Sequence, residues 1–250
     1  MPKSVPPKRA SFGGCPACAY RDFPSIDRCY ACFRESVPTI RSASHCPVCQ
    51  LPLSGDRCGN PICNFDDRWF SWNRALGFMS KGQVLHTVIR QYKYGDSATQ
   101  WGVILGHILA GHLEEHSDLF GSFDWITPAP TFVGTDSRRS WDHVALVFNS
   151  AADVLGPNWP FAEEGSLIEK TADSPSMVEM GSWQDRHEAA KALSKVLHVP
   201  SRTLVSGKRV LVFDDVFTDG HTLQQVAHAL RRAGASEVCG ISLARQSWGR

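Results

Sequence analysis

Two adjacent carboxylates, Asp214 and Asp215, followed by hydroxyls and a glycine, stand out in the stretch VLVFDDVFTDGHTL at 210–223. Neighbouring carboxylates accept hydrogen bonds from vicinal hydroxyls or help to hold a Mg²⁺ ion. Thr218, Asp219, Gly220, His221 and Thr222 come next, a short loop whose backbone N–H groups suit an anion. A specific scaffold is needed to position these groups. Val210, Leu211, Val212 and Phe213 are too short and too β-branched a run for a helix and fit a buried parallel strand. Beyond the loop, Leu223, Val226, Ala227 and Leu230 recur at helical spacing, and Gly234 supplies a stop. Strand, acidic pair, loop and helix N-terminus in that order favour a phosphate. A sugar phosphate satisfies both chemistries at once.

A second constellation lies near the start of the chain. Eight of the nine cysteines precede residue 64, as the pairs Cys15/Cys18, Cys29/Cys32, Cys46/Cys49 and Cys58/Cys63. Three of the pairs are C-x-x-C, which lets two thiolates of one tight turn reach the same metal. The spacing points to two structural Zn²⁺ sites rather than four disulfides. Sequential grouping joins Cys15, Cys18, Cys29 and Cys32 in one site and Cys46, Cys49, Cys58 and Cys63 in the other; a cross-braced pairing is the alternative. Closed four-sulfur sites leave no position for substrate, so a cap or a docking knob for a protein partner is expected.

Composition sets the remaining bounds. The chain has 250 residues, 42% hydrophobic and 20% charged, enough to bury a full core. Its net charge of +1 provides no global basic field for nucleic acid. No apolar run approaches the ~18 residues of a membrane span. The segment 1–14 is rich in Pro, Lys and Ser, without the apolar stretch of a signal peptide, and is expected to be a flexible tail. A cytoplasmic protein is the expectation. Three parts follow: the tail at 1–14, a double Cys₄ zinc-binding module at 15–71, and a doubly wound parallel α/β sheet at 72–250.

The 210–223 stretch resembles the phosphoribosyl-pyrophosphate (PRPP) signature of type I phosphoribosyltransferases, an apolar strand, two acids, two spacers and T-T-G-x-T. Together with CPVCQLPLSGDRCGNPIC it is similar to the ComF/GntX (competence protein F-like) branch of that fold, over about residues 46 to 245. The first cysteine quartet is an addition to the pattern. The resemblance implies that Asp214 and Asp215 meet the ribose hydroxyls and that residues 218–222 wrap the 5′-phosphate. Asp219 replaces a threonine there and brings a carboxylate toward the phosphate.

Further segments align with the same pattern. Val84, Val88, Ile89 and Tyr92 form an apolar stripe leading into Lys93, and a helix bearing Trp101, Ile104, Leu105, Ile108 and Leu109 follows. Asp124 to Pro130 resembles a strand ending in V-P-V-P. Arg138 and Arg139, in RRSWDH, are expected pyrophosphate contacts because a guanidinium meets two phosphate oxygens at once, and the resemblance implies Lys93 as a further PRPP contact. Residues 170–187 correspond to a mobile hood that keeps Arg186 of the pattern but has Met177 where a Gln is usual. The resemblance implies PRPP with Mg²⁺ as ligands and transfer of the phosphoribosyl group to an acceptor, with Asp214, Asp215 and Arg186 as catalytic residues. Two other readings stand beside it. One is a non-catalytic module that binds nucleotide or single-stranded DNA in DNA uptake. The other is a ligand-sensing regulator whose zinc knob contacts a protein partner.

Overall fold

A computed structural model describes residues 25–37, 44–94, 98–135, 141–175 and 182–246. The expected tail at 1–14, Cys15, Cys18, Arg138, Arg139 and Met177 lie outside these residues. In chain order the elements are α1 (Ile26–Ser36), β1 (Asn73–Met79), α2 (Val84–Tyr94), α3 (Ala98–Glu115), α4 (Ser117–Phe120), β2 (Trp125–Pro128), α5 (His143–Leu155), β3 (Glu169–Lys170), α6 (Trp183–Val196), β4 (Leu197–His198), α7 (Arg202–Val205), β5 (Arg209–Phe217), α8 (His221–Arg232) and β6 (Glu237–Gln246).

Four strands form a parallel sheet in the order β1-β6-β5-β2. The central strand β5 shows why an apolar run was needed. Leu211 and Phe213 point into one core with α1, α2, α3 and α5, whereas Val210 and Val212 point into a second core with α8. A strand covered on both faces has no polar side, which explains the unbroken VLVF. The edge strand β2 is shielded in turn, since Ile126 exchanges backbone bonds with Pro160 and Ala162. On the first face α3 and α5 pack closely because Gly106 has no side chain; a Cβ there would stand 2.5 Å from Ser150.

The expected helical stripes are buried: Val88, Ile89 and Tyr92 on α2; Trp101, Ile104, Leu105, Ile108 and Leu109 on α3; Leu223, Val226, Ala227 and Leu230 on α8. Three details differ from the sequence reading. Strand β5 continues to Phe217, so Asp214 and Asp215 lie within it, Asp214 opposite Ser242 of β6. The hood at 170–187 is not all irregular, because α6 begins at Trp183 under a Ser182–Asp185 capping box. Finally, α1 is not part of a peripheral knob. Its Cys29 and Phe33, with Val37 just beyond, join the core that contains Phe213 and Ile241.

Phe213 is fully buried at the centre of this arrangement. We expect Phe213→Ala to cost about 3–5 kcal/mol in urea unfolding, through lost transfer energy and an unfilled cavity. A cost under ~1 kcal/mol would mean that the two-sided burial of β5 is wrong.

Candidate phosphate and sugar site

The site is built at the carboxyl end of β5. The sheet ends at Phe217, residues 218–220 turn, and α8 starts at His221. Gly220 adopts φ +93°, a left-handed conformation open to glycine. It is the N-cap residue and has no side chain to satisfy the first turn of α8. The turn therefore leads directly into a twelve-residue helix whose N-terminus favours negative charge.

Buried carboxylates flank the turn. Asp215 is 5% exposed, and its Oδ2 lies 2.8 Å from Lys93 Nζ and 2.8 Å from His143 Nε2. Burial acts to raise its pKa, but Lys93 and His143 overcome that and hold it below the usual carboxylate range. Lys93 reaches it from the last turn of α2, and His143 from the first residue of α5. The ring of Tyr92 lies edge-on to both Trp141 and His143. Asp214 is only half-buried, and its Oδ1 accepts the Asp215 N–H at 2.8 Å.

Asp219 is 4% exposed and has its own partners. Arg186 Nε of α6 lies 2.8 Å from Oδ2, and His221 Nδ1 lies 2.8 Å from Oδ1. Oδ1 also accepts the His221 N–H at 3.2 Å. Burial opposes ionisation here as well, and the His221 and Arg186 contacts outweigh it, so the carboxyl stays below its ordinary value. The carboxylate that the sequence set against a phosphate is thus offset by the Arg186 guanidinium and held by the His221 ring. The Thr218 hydroxyl donates to Gln246 Oε1 at 3.1 Å, and Thr222 lies in the first turn of α8.

The structure thus brings together Asp214, Asp215, Lys93, Thr218, Asp219, Gly220, His221, Thr222 and Arg186 around one strand end. The sequence reading passed over two partners. His143 was legible only as part of RRSWDH, and nothing in its spacing pointed to Asp215. Arg245 is the other, a residue of β6 that no motif singles out. It is a wholly buried arginine among the uncharged buried residues of β6, an exception that calls for partners on composition alone.

Next to this turn lies the second cysteine quartet. The Sγ atoms of Cys46, Cys49, Cys58 and Cys63 all fall within 4.8 Å of one another, a donor set that could hold a metal ion. Cys29 and Cys32 lie elsewhere, on α1. The crowded thiols resist ionising together. Cys49 is drawn down to about 4, mainly by a hydrogen bond from Cys63 and despite burial, while burial pushes Cys58 up to about 12. A divalent cation at their centre would allow all four to ionise, which is the donor chemistry of a closed tetrahedral thiolate site. No helix among the described residues is long and apolar enough to cross a membrane.

With this geometry in place, comparison with known proteins is informative. Residues 168–247 match the family model of the phosphoribosyl transferase domain. The matched segment contains α6, β5, the turn, α8 and all of β6, and thus Arg186, Asp214, Asp215, Asp219 and Arg245. Over this segment the parallel α/β sheet is similar to a phosphoribosyl transferase domain, and it lies next to a cysteine cluster able to hold a metal. No curated protein matches the chain.

Removing Asp215 takes from the partly buried Lys93 and the buried His143 the carboxylate that both contact. We expect Asp215→Ala to lose about 3–5 kcal/mol of stability. The pH dependence follows from the depressed pKa. The stabilisation is complete above the unfolded value of ~3.9 and is lost as pH falls toward the folded value. The acid limb of a stability–pH curve should therefore be steeper for wild type than for Asp215→Asn. Identical limbs would contradict the assigned ion pairs.

Proposed function

We propose that the protein binds PRPP, or a 5′-phosphoribosyl group, with Mg²⁺ and transfers the phosphoribosyl group to an acceptor. The observation that carries this reading is the turn at 218–222. A left-handed Gly220, without a side chain of its own, leads into the N-terminus of α8 just beyond β5, the strand that carries the partly exposed Asp214. Backbone donors suit the 5′-phosphate, and Asp214 suits the ribose hydroxyls. The family match over the same residues supports it.

On this reading Arg138 and Arg139 neutralise the leaving pyrophosphate. The C1′–O bond to pyrophosphate breaks as the acceptor's nucleophilic atom bonds to C1′. Asp214, a partly exposed carboxylate within β5, fits the oxygen ligation that Mg²⁺ prefers. When bound, that ion offsets pyrophosphate charge. Lys93 and Arg186 act indirectly here, as partners that keep Asp215 and Asp219 ionised and in place.

The four-thiol cluster is proposed to hold Zn²⁺ in a structural role, with Cys15, Cys18, Cys29 and Cys32 as a second such set. A Cys₄ module ahead of a phosphoribosyltransferase-type domain also supports a ComF-like assignment and a cytoplasmic setting. In the proposed division, 15–71 forms the cysteine module and 72–250 the α/β body, with α1 packed on the body. A second reading, non-catalytic binding of a nucleotide or single-stranded DNA, is favoured by one observation. Lys93 and Arg186, two cations expected to meet ligand, are engaged with protein carboxylates instead.

Calorimetric titration of PRPP tests the first reading. Binding should strengthen at least tenfold with Mg²⁺ and lose that gain in Asp214→Asn, since each 1.4 kcal/mol of a charge-assisted contact is about a factor of ten. Mg²⁺-independent binding, equal in wild type and variant, would remove Asp214 from the site.

A further inference from the structure

Three successive carbonyls of the phosphate turn are held from one side by two residues rooted in the cysteine cluster. Arg245, with no exposed surface, donates Nε–H to the Cys49 carbonyl at 2.8 Å. The same guanidinium donates through Nη1 to the Phe217 carbonyl at 3.2 Å and to the Thr218 carbonyl. Its Nη2 lies 3.8 Å from Cys49 Sγ. Asn60 makes the parallel link. Its N–H points at Cys58 Sγ at 3.4 Å, and its Nδ2 donates to the Asp219 carbonyl at 3.0 Å, both Asn60 and Asp219 being buried.

The consequence for the turn is geometric. A trans peptide sets its N–H opposite its C=O. Drawing the Phe217, Thr218 and Asp219 carbonyls toward the sulfurs turns the N–H groups of Thr218, Asp219 and Gly220 the other way. Both anchors touch the cysteine loops, Arg245 at the Cys49 carbonyl and Asn60 at Cys58 Sγ, and an ion shared by the four thiols would tie these loops to one centre. Four thiolates around a divalent cation carry net negative charge, which the guanidinium beside Cys49 offsets. Without the ion the two cysteine loops are no longer joined at one centre, and the anchors lose that shared end.

We propose that metal occupancy of Cys46, Cys49, Cys58 and Cys63 sets the aim of the phosphate turn through Arg245 and Asn60. These are positioning residues, and the four-thiolate centre is an integral support of the anion site rather than a remote cap. The proposal rests on the reading of 218–222 as a phosphate turn, but its structural half can be measured without any ligand.

The test uses the full chain and zinc as the metal probe. Backbone hydrogen exchange across 217–222 and calorimetric affinity for inorganic phosphate are compared in zinc-loaded, chelator-stripped and zinc-reloaded protein. The same measurements are made on zinc-loaded Arg245→Lys and Asn60→Ala, with zinc content checked by metal analysis. We expect both variants to keep zinc at this quartet. Loop exchange should rise by about tenfold and phosphate affinity fall by about tenfold, the scale of one lost buried hydrogen bond, with exchange in α3 and α5 unchanged. Stripping should reproduce the effect and reloading should reverse it. Unchanged loop exchange on stripping and in the variants overturns the proposal. Should Arg245→Lys fail to fold, Asn60→Ala and the reversible stripping decide between these outcomes. Faster loop exchange in a protein whose wild type ignores phosphate would leave the coupling standing and remove the phosphate reading alone.

Discussion

Buried negative charge at the end of β5 is the constraint around which this molecule is arranged. Asp215 and Asp219 are both nearly inaccessible to water, and an isolated carboxylate in such surroundings is too costly to stay ionised. Each is met by two groups from other elements. Lys93 from α2 and His143 from α5 converge on the first, whereas Arg186 from α6 and the neighbouring His221 converge on the second. Charge compensation thus draws helices from both faces of the sheet onto one turn. The turn is buried at Asp219 and Gly220 and partly exposed at Thr218.

The cysteine cluster belongs to the same construction. Cys46 and Cys49 are buried in the core that contains Val212, Phe217 and Leu223. Phe65, two residues past Cys63, lies edge-on to Trp183 at the start of α6, the helix that carries Arg186. The Asn73 N–H donates to the Val48 carbonyl, and Gln50 accepts from Ala75, so the first strand is also joined to this module. A thiol cluster attached at so many points behaves as one wall of the site. Small cysteine-rich segments have little apolar core of their own, and packing on a sheet supplies one.

Much of this was legible in the sequence because its signals were local. An unbroken VLVF run, a paired acid, a glycine-containing turn and a helical stripe are all consecutive, so strand, turn and helix could be ordered without knowing the rest. The quartet from Cys46 to Cys63 was equally local. The ion-pair network was not. Lys93 and Asp215 are far apart in sequence, and no periodicity indicates that α2 and α5 end beside β5. The fate of Asp219 was hidden for the same reason. Read alone, it was a like charge facing a phosphate; packed against Arg186 and His221, it is a compensated anchor. Strand length was misjudged because Asp214 and Asp215 are poor strand formers in isolation. Parallel pairing with β6 overrides that preference and carries β5 on to Phe217.

Backbone NMR during titration with PRPP and Mg²⁺ reaches the central claim most directly. The account predicts saturable shifts of the amide resonances of Asp219, Gly220, His221 and Thr222, with the Asp214 environment responding in the same concentration range. Shifts confined to other surfaces, with these four amides unmoved at saturation, would contradict it.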